Sequence, residues 1–306
     1  MRVVVLSGGV GGARMGRGLA RLGDVATTMV VNVGDDEVAY GLHVSPDLDT
    51  VLYTLAGIEG PEGWGRADDT WEVMGHLAEL GVDTAFAIGD SDLATNLYRT
   101  LRLRQRETLS NIVSELVTLF GVTVTVLPAS DQPVRTRIAT GDGEWLTFQD
   151  YFVNRNHRDD VSDLRFDGAS SALPAPGVLE ALEGADGVIV APSNPPLSIW
   201  PILAVPGIEP AVAAVGRVIG VSPLFGGEAL KGPAHRVLAG LGYPRGNAGV
   251  VAAYDGLLTD LVIDRSDADE AIALRRAALS IHVADTRIGE PERAERLARW
   301  LVELMT

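Results

Sequence analysis

VVVLSGGVGGARMGRGLARL, residues 3–22, decides the fold. An apolar, β-branched run of strand length breaks on two Gly-Gly pairs and resumes with apolar residues at helical spacing, so it reads as buried strand, tight turn and helix. Such a turn at the carboxyl end of a parallel strand presents backbone N–H groups and the positive end of the helix dipole to an anion. Gly8, Gly9, Gly11 and Gly12 would let a phosphate approach closely. The spacing matches neither G-x-x-x-x-G-K-[ST] nor a clean G-x-G-x-x-G, which argues against a P-loop ATPase and a nicotinamide dehydrogenase. A plain strand-to-helix connection would use the same glycines.

The unit repeats along the chain. Residues 27–34 (TTMVVNVG), 122–128 (VTVTVLP), 187–193 (GVIVAPS) and 217–223 (RVIGVSP) read as further buried strands, with helical patterns from Asp68 and Thr108 between them. Alternation of this kind predicts an α/β fold, a Rossmann-like doubly wound and mainly parallel sheet, in a single domain over residues 1–306. Gly141-Asp142-Gly143, within residues 134–153, signals a small antiparallel hairpin flap. Residues 154–177 read as polar loop, giving a sub-lobe at about 130–175.

A net charge of −16 argues against nucleic acid and anionic membranes as partners. Lys231 is the only lysine, so any phosphate must be met by arginine, backbone N–H groups or a metal. The absence of cysteine excludes disulfides and zinc-thiolate sites. The most membrane-like stretch, residues 187–208, carries Pro192, Pro195, Pro196, Pro201 and Pro206, which excludes a spanning helix. With no N-terminal signal legible, a cytoplasmic location is expected.

Residues 32–50, NVGDDEVAYGLHVSPDLDT, would bring Asp35, Asp36, Asp47 and Asp49 to the sheet edge that carries the glycine turn. Carboxylates beside a phosphate repel it. A divalent cation such as Mg²⁺, taking one or two carboxylates and leaving its other positions to water and phosphate oxygens, removes the conflict. Helix capping and Asx turns are the plainer uses of the same aspartates. Asp90 and Asp92, read as following another short strand, with Thr95 and Arg99 on the ensuing helix, suit either a hydroxyl-rich substrate or an N-capped helix. Ser193-Asn194, and Ser222 with Gly226, Gly227 and Lys231, offer short polar groups on two further loops. The five histidines show no metal-ligand spacing.

Taken in order, SGGVGG, NVGDD, SPDLDTVLYTLAG, GDSDLAT, LPASDQPV, TFQDYFV, APSNPPLSI and VSPLFGG with KGPA make the chain resemble the 2-phospho-L-lactate transferase family (CofD type) of deazaflavin coenzyme biosynthesis. The resemblance implies Mg²⁺-dependent transfer of a phospholactyl or phosphoenolpyruvyl group from a guanosine-diphosphate-linked donor to the ribityl hydroxyl of the deazaflavin Fo, with release of GMP. It places the donor on Gly8, Gly9, Gly11, Gly12, Ser193, Asn194 and Ser222, and the acceptor by Asp49, Asp90, Asp92 and Thr95. Asp35 and Asp49 become the metal ligands and catalytic residues. A homodimer is expected. Ala87, Ser91, Asn96 and Trp200 depart from the family pattern and bear on how the acceptor is gripped. A regulatory nucleotide-sugar-binding protein (YvcK type) would share the glycine turn, but SPDLDTVLYTLAG argues against it.

Overall fold

The computed structural model describes residues 1–306. The opening stretch forms β1 (Arg2–Ser7) and α1 (Gly9–Ala20), and the chain returns through β2 (Ala26–Val31). A small hairpin, β3 (Glu37–Ala39) and β4 (Leu42–Val44), leads into α2 (Pro46–Ala56). Helices α3 (Glu72–Glu79), α4 (Asp90–Arg104) and α5 (Leu109–Leu119) precede β5 (Thr125–Pro128). Thr108 caps α5, its side chain accepting from Asn111 N at 3.3 Å, as its position before the apolar run predicts.

The expected flap is real and larger than a hairpin. Strands β6 (Arg135–Thr140) and β7 (Trp145–Thr147) are joined by β8 (Val161–Asp167), which pairs antiparallel with β6 inside the stretch expected to be loop. Its polar side chains hid it, because one face of β8 meets solvent. Ile138, Leu146, Tyr151, Val161, Leu197 and Val237 form a second, smaller core that seats this sheet on the segment just after Asn194.

The chain continues through β9 (Gly187–Val190), β10 (Val218–Val221), the short hairpin β11 (Leu224–Phe225) and β12 (Glu228–Ala229), β13 (Asp260–Asp264) and β14 (Ser280–Ala284), and ends in the helix Pro291–Leu304. Seven strands make one parallel sheet in the order β14-β13-β10-β9-β1-β2-β5. The last two strands escaped the sequence reading. Registers Ser7 to Val31 and Leu6 to Val190 bring the ends of β1, β2 and β9 to one edge. The order reverses about β1, so the loops after β1 and β9 flank a topological switch point, where ligands of open α/β sheets bind.

One expectation needs correction here, and one is matched. Residues 84–89 form no strand, so Asp90 and Asp92 open α4 directly rather than following a sheet edge. No single helix is long and apolar enough to cross a membrane; the proline-rich stretch folds as β9, a π-turn at Pro195–Ile199 and the short helix Trp200–Leu203.

Candidate active site

The glycine turn is built from both sides of the switch point. Gly8 N is met by Ser193 Oγ at 3.3 Å, and Ser193 Oγ donates to Gly8 O at 2.7 Å. Gly9, in the left-handed region at φ +63°, donates its N–H to Asp47 Oδ1 at 2.7 Å. A carboxylate from α2 thus occupies the first donor of α1. The next N–H groups of that helix have no intrahelical acceptor and remain available to an anion. Gly11 and Gly12 serve close packing: a Cβ at Gly11 would overlap the Pro192 carbonyl, and one at Gly12 would overlap Ser7 Oγ.

Asp47 is held on its other oxygen by Asn32, whose Nδ2 donates to Asp47 Oδ2 at 2.9 Å while its Oδ1 accepts from Gly34 N at 2.7 Å. Asn32, fully buried at the end of β2, ties the glycine turn, the aspartate loop and α2 together. Burial pushes Asp47 up to about 6 against these donors. Burial, reinforced by Asp47 nearby, also holds Asp35 well above the usual carboxylate range.

Asp36 pairs with His43 Nε2 at 2.9 Å. Asp49, in the first turn of α2, is bonded through Oδ1 to Arg99, a fully buried cation on α4. Burial raises Asp49 even so. Asp35 Oδ1, Asp36 Oδ1, Asp49 Oδ2, Ser7 Oγ and Ser45 Oγ are buried without any hydrogen-bond partner. Buried polar atoms are rarely left unpaired, and a group of them at one sheet edge marks a place built for a ligand.

The GDSD segment divides. Asp92 accepts from Tyr53 Oη at 2.8 Å and from Asn96 Nδ2 at 3.2 Å, and Asn96 Oδ1 accepts from Arg99 at 2.8 Å. Thr95 is buried one turn further along α4, and burial with the Asp49 charge pushes Asp92 up to about 7. Asp92 and Thr95 therefore join the Asp49 cluster. Asp90 faces away: it accepts from Thr70 Oγ1 at 2.5 Å and from the N–H groups of Glu72 and Val73, both at 3.1 Å, which stitches the start of α3 to α4.

Asn194 caps the π-turn, accepting from Leu197 N at 3.3 Å. Ser222 lies one strand beyond β9 and donates to Asn247 Oδ1 at 2.5 Å, a buried contact that shapes the loop after β10. Trp200 is packing, its Nε1 donating to Ala253 O at 2.9 Å. Asn32, His43, Tyr53 and the buried role of Arg99 were missed in the sequence. Only Arg99 left a signal, seven residues after Asp92 and so on the same helix face.

A doubly wound parallel sheet with an anion-facing turn and a buried carboxylate cluster at its switch point defines a Rossmann-like group-transfer enzyme. The family model described as 2-phospho-L-lactate transferase CofD matches residues 3–295, and the chain belongs to that family. It is a transferase of the phospholactate or phosphoenolpyruvate kind in coenzyme F420 biosynthesis. It is 40% identical over 312 residues to a phosphoenolpyruvate transferase of Streptomyces griseus, covering 99% of this chain and 98% of the relative. It is 34% identical over 304 residues to a 2-phospho-L-lactate transferase of Methanococcoides burtonii, covering 99% of each. A crystal structure of a UPF0052 family member from Bacillus halodurans superposes with a TM-score of 0.66 at 17% identity, covering 98% of both chains, and shares the fold.

Proposed function

We propose that the enzyme transfers a phosphoenolpyruvyl group from its guanylylated donor to the ribityl hydroxyl of Fo, releases GMP, and works with Mg²⁺. The choice of acid follows the phosphoenolpyruvate transferases, which at 38–41% identity resemble this chain more than the phospholactate transferases at 33–34%. The observation that carries the reading is the set of bare carboxylate oxygens on Asp35, Asp36 and Asp49 beside the glycine turn.

Those oxygens fit a divalent cation. Mg²⁺ takes one or two carboxylates and keeps water and phosphate oxygens for the rest. Asp35 would hold it through its bare oxygen, and when bound it would offset charge on the donor's diphosphate. Asp47, with both oxygens committed to Gly9 and Asn32, positions the turn. Arg99 fixes Asp49 by one oxygen and leaves Oδ2 to accept the proton of the attacking hydroxyl. That hydroxyl oxygen forms the new bond to the phosphorus bearing the acid. The bond from this phosphorus to the bridging oxygen breaks, and GMP leaves with that oxygen and its electron pair.

Asp92 reaches Asp49 through Asn96 and Arg99 and makes no bond to the glycine turn; with Thr95, one turn further along α4, it belongs to the acceptor in this reading. Kinetics of Asp92→Ala test it: the KM for Fo should rise while GDP affinity stays nearly constant. An equal loss of both would merge the two subsites.

A further inference from the structure

Two surface arms meet over the start of α1. The first is the hairpin 58–67, closed by Ala67 N donating to Ile58 O at 2.8 Å, and its tip lies so close to α1 that a Cβ on Gly63 would stand 2.7 Å from Val10 and 3.4 Å from Arg14 Nη2. The second is the loop after β10. Buried Asp267 anchors its base, accepting from Gly226 N at 3.0 Å and Gly227 N at 2.7 Å.

The arms are joined by the only lysine in the chain. Lys231 Nζ donates to Glu62 O at 2.8 Å and Glu62 Oε2 at 2.9 Å, and lies 4.9 Å from the centre of the Trp64 ring. With Lys231 and Glu62 side chains 45% and 67% exposed, the ion pair is a weak, exchangeable one. Beneath it, half-buried Arg14 has no carboxylate of its own, because Glu59 is taken by Arg17 at 2.5 Å. Farther in, Ser7 Oγ is fully buried and unpartnered next to Gly12. One cation without counter-charge, a second in an exchangeable pair, and a bare hydroxyl beside an anion-facing helix start describe a place for a multiply charged anion.

The geometry points to Lys231 as a donor-positioning residue that leaves Glu62 to engage the diphosphate of the guanylylated donor, with Glu62 holding its place between turnovers. This assignment rests on the guanylylated-donor reading above. A lysine suits the task, since a compact ammonium on a flexible stem changes partners at low cost where a planar guanidinium would keep a forked geometry.

Calorimetry of GDP with the full chain tests it through two substitutions that break the same contact from opposite ends. Lys231→Met should weaken GDP about tenfold, the loss of one charge-assisted contact. Glu62→Gln, which frees the lysine from its competitor, should tighten GDP about two- to fivefold. Lys231→Arg should restore part of the loss. A purely structural latch would make Lys231→Met and Glu62→Gln shift GDP in the same direction, and that result, or no shift in either, overturns the assignment. If the unsubstituted protein fails to bind GDP, the donor reading itself falls and this inference with it.

Discussion

Arg99 bonds one oxygen of Asp49 and leaves the other bare, in a setting where the guanidinium is fully buried. The pair joins α4 to the first turn of α2 and fixes this carboxylate within the buried acidic cluster. Removing one partner of a buried pair strands the other, so Asp49→Asn and Arg99→Met should each cost about 3–5 kcal/mol. The double substitution should cost clearly less than the sum, and all three variants should lose transfer activity. Chemical denaturation of the four proteins checks this; additive losses would mean that the contact is not the unit described.

Burial leaves Asp47 up at about 6 and Asp92 at about 7, above the value near 4 of an unfolded chain. The native state therefore holds more protons than the unfolded state between about pH 4 and pH 7, and stability should fall as pH rises through that window. Urea midpoints in metal-free buffer report it. Asp92→Asn, which keeps a side-chain acceptor for Tyr53 and Asn96, should flatten the upper part of the decline. Stability rising with pH over the same range would contradict the assigned environment.

Mg²⁺ should act against that decline. Carboxylates bind a cation only when deprotonated, so the rise in Tm on adding Mg²⁺ should be larger at pH 7.5 than at pH 5 and shrink in Asp35→Asn. Equal shifts at both pH values, or an undiminished shift in the variant, would remove the cation from this cluster.

Gly11 offers a contrast between packing and binding. Its missing Cβ makes room for the Pro192 carbonyl, so Gly11→Ala should destabilise the fold by about 1–3 kcal/mol through overpacking at the switch point. Thermal unfolding of the variant measures this. Unchanged stability would show that α1 and the loop after β9 are less tightly joined than their geometry states.

What was legible in the sequence follows physical lines. The core strands were readable because a parallel sheet covered on both faces needs near-continuous apolar runs. β8 was not, since its exposed face carries Asp163, Arg165 and Asp167 in place of such a run. The aspartates could be gathered by the rule that parallel strands bring their carboxyl-end loops together. Asn32 could not, because nothing in a lone buried asparagine announces that it bridges Gly34 and Asp47. The misread segment 84–89 shows the same limit: an apolar run before Gly and Asp looked like a strand, but it only delivers the chain to α4, whose first turn Asp69 caps from outside by accepting from Ser91 N at 2.7 Å.

Everything above turns on transfer taking place at the Asp35–Asp49 cluster. Mass spectrometry of the purified protein incubated with Fo, Mg²⁺ and the guanylylated phosphoenolpyruvate donor tests it most directly. GMP and Fo carrying the phosphoenolpyruvyl group should form in equal amounts, with neither formed by Asp49→Asn. Fo recovered unmodified beside intact donor, from a protein that binds both, would contradict it.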